Sequence, residues 1–204
     1  MRGTVVQKRT PEHVILERGI WKPRWMVKKF EDARAHELYL KAFWEKVKRF
    51  RQGLLDPSLF NFEHELSQKY AYAVSVFHDN GLANTGINEM WTLICGTGAT
   101  KFDNSNAYLG VGDDDTAFAA GQTDLQAETN KVRQAMESGY PTYGSNQKAT
   151  FKSSFNGDTA NFAWNEFATF NAASAAIMMN RKVEAEGTKT SGQVWELTEE
   201  VSLS

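Results

Sequence analysis

The chain predicts a mainly β fold, an antiparallel sandwich or a barrel-like form with one short packed helix, preceded by a helical and basic N-terminal extension. Short runs of alternating apolar and polar residues recur at about 106–112, 147–155, 160–170, 175–183 and 193–203, and such alternation marks strands with one buried face. Clusters of Gly, Asn and Asp separate the runs and supply turns. The longest stretch with helical spacing lies ahead of them, between Glu31 and Gln52. The expected organisation is an extension over residues 1–69 and a β-rich domain over residues 70–204.

The first thirty residues mix Gly3, Pro11, Gly19 and Pro23 with Val14, Ile15, Leu16, Ile20, Trp21, Trp25 and Met26. That density of Pro and Gly argues against a long helix, and the large apolar side chains argue against plain disorder, so an arm that packs on something is expected. Thr10-Pro11-Glu12 has the form of a helix start, with Thr10 as N-cap and Pro11 at the first helical position. From Glu31 to Gln52, Ala35, Leu38, Tyr39, Ala42, Phe43, Lys46, Val47 and Phe50 recur at three- and four-residue steps. Glu31 and Asp32 open this stretch, Lys48, Arg49 and Arg51 close it, and Gly53 follows. It is an amphipathic helix whose charges match its dipole. Asp56-Pro57-Ser58 reads as a turn in a connecting segment, 54–67, with room for a short helix.

Residues 70–78 alternate as a strand does, and Asp79-Asn80-Gly81 supplies its turn. Ile87, Met90, Trp91 and Ile94 then fall on one side of a helix that ends before Gly96, and that side should lie against a sheet. Thr123-Asp-Leu-Gln126 has the form of a capping box ahead of residues 127–138, a stretch poor in large apolar residues. Gly139 to Gly144 reads as a turn. In the final run Trp195, Leu197, Val201 and Leu203 share one face and Glu196, Thr198, Glu200 and Ser202 the other, with Glu199 interrupting the apolar face.

Composition excludes several classes. A hydrophobic share of 41% and a charged share of 24% belong to a globular chain. No apolar run reaches the roughly 18 residues a membrane helix needs, and the first twenty residues carry charges where a secretion signal has its apolar core. Cys95 is the single cysteine, which excludes an internal disulfide and a thiolate metal cage within one chain. Set in the apolar run Trp91-Thr-Leu-Ile-Cys95, it is expected to be a buried packing residue. The charge is two-part: residues 1–52 hold 14 Lys and Arg against 6 Asp and Glu, residues 53–204 hold 9 against 19.

Candidate chemistry is sparse. Asp113, Asp114 and Asp115 are consecutive, whereas a helix-loop-helix calcium site spaces its acids at alternate positions and ends on a bidentate Glu, so a solvated turn or an intersubunit salt-bridge loop is expected. Gly110-Val-Gly112 is too short for a dinucleotide fingerprint. His13, His36, His64 and His78 all lie far in sequence from the carboxylate segments and form no triad or metal-binding spacing. Asn165 and Glu166 sit inside an aromatic run, where a buried hydrogen-bonding or interface role is expected of the carboxylate. No catalytic residue, no metal ligand set and no cofactor is therefore expected. The basic extension is expected to dock on acidic protein surfaces through Trp21, Trp25, Lys28, Lys29, Phe43, Trp44 and Arg49, in preference to nucleic acid. On that view, removing residues 1–52 should leave a soluble β domain that no longer assembles.

Several motifs occur in order: Leu82-Ala-Asn-Thr-Gly-Ile-Asn-Glu-Met-Trp91, Asn106-Ala-Tyr-Leu-Gly-Val-Gly112, Gln122-Thr-Asp-Leu-Gln126, Ala160-Asn-Phe-Ala-Trp-Asn-Glu-Phe167, Asn180-Arg-Lys-Val183 and Gly187-Thr-Lys-Thr-Ser-Gly192, followed by a tryptophan-bearing strand. Over about residues 82–204 the chain resembles a group of tailed-bacteriophage virion structural proteins. The resemblance implies a virion component made in the host cytoplasm, with the major capsid protein or other virion subunits as partners, a homo-oligomeric state, no membrane and no catalytic residues. A capsid-associated decoration or minor capsid component is the first expectation. A minor tail, fibre-attachment or host-contact component is the second, and a cell-wall hydrolase the remote third.

Overall fold

The computed structural model describes residues 21–54 and 62–203. Among the described residues, ten strands form two five-stranded sheets, antiparallel at every pairing, and three short helices accompany them. Sheet A has the order β2 (Ala73–His78), β1 (Trp21–Phe30), β10 (Val194–Leu203), β7 (Lys148–Phe155), β6 (Thr142–Ser145). Sheet B has the order β3 (Gly81–Leu82), β9 (Met178–Val183), β8 (Glu166–Phe170), β4 (Tyr108–Gly112), β5 (Lys131–Ala135). The helices are α1 (Ala33–Arg51), α2 (Phe62–Tyr70) and α3 (Asn84–Cys95). The helix start expected at Thr10 and the turn at Asp56-Pro57-Ser58 lie outside the described residues.

The register explains which side chains meet. On β10, Trp195, Leu197 and Val201 face inward beside Phe155 and Phe151 of β7 and Val27 and Trp25 of β1. Leu109 and Val111 of β4 and Phe167 of β8 face them from sheet B. Trp25 lies 6.0 Å from Phe167 and 6.3 Å from Phe77, and Trp164 lies 4.8 Å from both Phe155 and Trp195. Aromatic rings from both sheets thus close one shared core.

The outer faces are covered differently. Phe30 and Val194, on the outer side of sheet A, pack under Tyr39 of α1 and Leu66 of α2. Helix α1 begins where expected, with the Asp32 carboxylate accepting from the Ala35 amide at 2.7 Å, and ends on Gly53 at φ +68°. On sheet B the segment 113–130 lies over the outer face, where Leu125 meets Ala168, Phe170 and Met178. The glycines of the Leu-Gly-Val-Gly run belong to this face. A Cβ on Gly112 would collide with the Glu166 carboxylate, and one on Gly110 would press against the Phe170 ring at 2.7 Å.

Several expectations are corrected: Thr142–Ser145, in the stretch expected as a turn, form strand β6, and the side of α3 expected against a sheet leaves Trp91 and Ile94 exposed. Residues 21–30 are not an arm but an interior strand of sheet A, paired along its length with β10 and over Arg24–Lys29 with β2, so no seam near residue 69 divides extension from domain. Residues 131–135, inside the stretch expected as a weak helix, form edge strand β5. Residues 160–165 make an irregular connection before the short strand β8. Cys95 is exposed at the end of α3, because that helix seats its N-terminal turn on β9, with Gly86 against the Met179 backbone and Thr85 Oγ1 donating to the Met178 carbonyl at 3.1 Å.

Candidate functional site

The seven residues expected to dock divide into two groups. Trp25 is fully buried in the shared core. Trp21 is partly buried, and its indole N–H donates to Asn80 Oδ1 at 2.8 Å. Lys28 is 1% exposed and its ammonium reaches Tyr39 Oη at 2.7 Å, Glu63 Oε1 at 2.5 Å and Glu196 Oε1 at 3.1 Å. Lys29 is buried too, paired with Glu186 Oε2 at 2.9 Å and set over the Trp195 ring at 4.6 Å. Trp25, Lys28 and Lys29 hold the domain together and present no free docking surface. On α1, Phe43 is half-buried between Tyr39, Trp44 and Phe62, whereas Trp44 is 56% exposed and Arg49 is exposed.

Beneath α1 lies a buried ion network that adjacency in the sequence does not reveal. Glu196, fully buried, meets Lys28, Lys152 Nζ at 2.8 Å and His36 Nε2 at 3.6 Å. Burial pushes its carboxyl up, but the two ammonium groups outweigh this and hold it well below the usual carboxylate range. Burial likewise pushes Lys28 and Lys152 down, and Glu196 with Glu63 or Glu137 returns them well above the usual lysine range. The ligand atoms of His36, Glu137 and Glu196 all lie within 4.8 Å of one another. Lys152 bridges the two carboxylates, at 3.5 Å from Glu137, so a resident ammonium already fills the place a metal would take.

Glu166 anchors segment 113–130. Its oxygens accept from the amides of Gln126 and Ala127, each at 2.8 Å, and from Arg181 Nε at 2.6 Å. Arg181 in turn donates to the Thr116 carbonyl at 2.8 Å, and Asn165 Nδ2 donates to the Asp113 carbonyl at 2.8 Å. With its lone pairs committed to backbone and guanidinium, Glu166 is a structural clasp. Among the three aspartates, Asp114 is held below its ordinary value by hydrogen bonds from the Thr116 side chain and then the Thr116 amide, Asp113 accepts from Asn130, and Asp115 is exposed.

Glu199 is the third buried carboxyl and has different company. It lies on the inner face of sheet A and meets Thr169, Asn180 at 2.5 Å and Asn80 at 3.2 Å, all neutral. Burial pushes it up to about 7, while the three hydrogen bonds oppose that rise. The folded form therefore keeps a proton that the unfolded chain gives up near the ordinary Glu value of 4.5. Stability from this group is full below about 4.5 and is lost as pH rises to about 7. Glu199→Gln should flatten this dependence, matching the wild type at the acid end and exceeding it at pH 8 by on the order of 3 kcal/mol. Denaturant melts across that range test it; parallel curves for the two proteins would refute the assignment.

A groove of about 610 Å³ opens at one end of the core, lined by Trp21, residues 144–149, Val201 and Leu203. Its one charged side chain, Lys148, is paired with Glu200 at 2.7 Å. Exposed apolar side chains stand elsewhere: Trp44 and Leu38 on α1, and Trp91 (60%) and Ile94 (73%) on α3. Among the described residues no helix is long and apolar enough to cross a membrane. Comparison of the chain with protein-family models, with curated proteins and with solved structures finds no match.

Proposed function

We propose that this chain is a non-enzymatic virion structural protein of a tailed bacteriophage, associated with the capsid as a decoration or minor capsid component. The observation that carries the reading is the disposition of its polar and apolar groups. Glu166 and Glu196 are tied to cations inside the fold and Glu199 is sealed among neutral donors, whereas large apolar side chains stand in solvent on α1 and α3. Buried, fully committed acids suit a rigid building block, and exposed tryptophans suit a surface that another subunit covers. The ordered motifs over residues 82–204 support the virion assignment by their resemblance to phage structural proteins.

The docking role moves within the chain. Trp25, Lys28 and Lys29 serve the interior and Trp21 stands at the rim of the groove, so contact with the major capsid protein or other virion subunits falls to α1, with Trp44 as anchor, Phe43 behind it and Arg49 exposed on the same helix. Symmetric copies on a particle let modest contacts sum to high avidity. The Trp44→Ala/Arg49→Glu variant should fold as the wild type does, judged by circular dichroism, yet fall at least about tenfold in particle incorporation. Normal incorporation would overturn the docking assignment. Immunogold labelling of intact particles distinguishes the capsid from the tail, and label confined to the tail would replace the capsid placement with a minor tail or fibre-attachment one.

A further inference from the structure

The coverings of the two sheets differ in charge: α1 has an excess of Lys and Arg, with Glu37 and Glu45 also exposed on it, and residues 113–130 carry acids, of which Asp114 pairs with Arg181 and Asp124 with Lys131 and Arg133. On the sheet A side, Lys41, Trp44, Lys48 and Arg51 recur at three- and four-residue steps, which puts them on one stripe of α1, and all four are exposed. An exposed aromatic side chain is thus flanked by cations on the helix turns before and after it. On the sheet B side, residues 113–130 contain Asp113, Asp114, Asp115, Asp124 and Glu128 and no Lys or Arg. Asp115 and Glu128 are exposed, and Ala117, Ala119 and Ala120 next to the aspartates are exposed as well. Helix α1 covers the outer side of sheet A, through Tyr39 on Phe30 and Lys28. Segment 113–130 covers the outer side of sheet B, through Leu125 on Phe170 and the amides on Glu166. The shared core lies between them.

We infer that copies of this chain associate head to tail, the Trp44 stripe of one copy seated on segment 113–130 of the next, where Asp115, Glu128 and the alanines at 117, 119 and 120 are exposed. An exposed aromatic side chain flanked by cations and a segment whose exposed side chains are acids and small apolar groups are complementary in charge. The contact joins two different surfaces, so it is heterologous and repeats until a ring closes or a filament extends. The inference deepens the reading of the chain as an assembly subunit, and it needs no particle to be tested.

Two reversed variants test it: Lys41→Glu/Lys48→Glu on the basic face and Asp115→Lys/Glu128→Lys on the acidic one. All four positions are exposed, so both variants should keep the wild-type circular dichroism and melting behaviour. Sedimentation velocity on the purified full chain should show concentration-dependent association at low salt that weakens at high salt. Each variant alone should associate at least about tenfold more weakly than the wild type. Mixed together, they should recover association, since each then offers the face the other needs. Three results would overturn the proposal: a wild-type chain that stays monomeric at low salt, a mixture that does not recover, or an acidic-face variant that associates normally. If reversing the basic face abolishes binding to duplex DNA while self-association is unchanged, the stripe serves nucleic acid instead. Self-association without particle incorporation would uphold this contact and overturn the virion reading.

Discussion

A chain lacking residues 1–52 should fail to fold, rather than yield a soluble β domain. Strand β1 stands between β2 and β10, and removing it leaves both neighbours with unpaired backbone in what was the middle of sheet A. The same cut removes Trp25, Val27, Phe30 and Tyr39, all 1% exposed or less. At roughly 1.5–3 kcal/mol for each large side chain buried, their loss approaches the whole 5–15 kcal/mol by which a domain is stable. It also deprives Glu196 of Lys28 and of His36 and strips the helix that shields it. The expected result is an aggregating chain, or one without a cooperative melt or dispersed amide resonances. A truncated protein that melts cooperatively near the wild-type temperature would show that sheet A closes without β1.

The misplacement of β1 has a physical origin. Trp-Lys-Pro-Arg-Trp-Met-Val-Lys-Lys-Phe alternates only partly, and two adjacent lysines look like a solvated face. Their partners are remote: Glu196 lies 168 residues from Lys28, and the Glu186 carbonyl 157 residues from Lys29. A single sequence does not announce such pairings. Where the information was local, it was legible. The Asp32 cap, the Lys and Arg at the end of α1 and the Gly53 terminus stand within one helix, and the alternation of β10 revealed both of its faces, including the intrusion of Glu199. Cys95 failed for a related reason. Its apolar neighbours suggested burial, but whether that side of α3 meets the sheet depends on Gly86, which brings the other end of the helix onto the Met179 backbone and leaves Trp91 and Ile94 outside. The paired glycines of β4 were visible as a motif, while their reason, room for Glu166 and Phe170, appears only once β8 lies beside β4.

The buried ion network yields the second large effect. Glu196→Leu removes the carboxylate that Lys28 and Lys152 share and leaves two ammonium groups facing each other in a site closed to water. Breaking a buried pair by deleting one partner costs about 3–5 kcal/mol, because the remaining charge stays desolvated and uncompensated. Here two cations lose their shared partner, while Glu63 and Glu137, at 48% and 25% side-chain exposure, still hold one each. The loss should therefore fall within that range and not double it. Adding Lys28→Met and Lys152→Met to Glu196→Leu should restore most of the stability, since the space becomes apolar and Glu63 and Glu137 are near enough to water to lose their partners cheaply. Urea melts of the single and triple variants decide the matter. A triple variant no more stable than the single one would mean that the network supplies packing geometry as well as charge balance. A single variant within about 1 kcal/mol of the wild type would mean that water reaches Lys28 and Lys152 and that the network is not sealed.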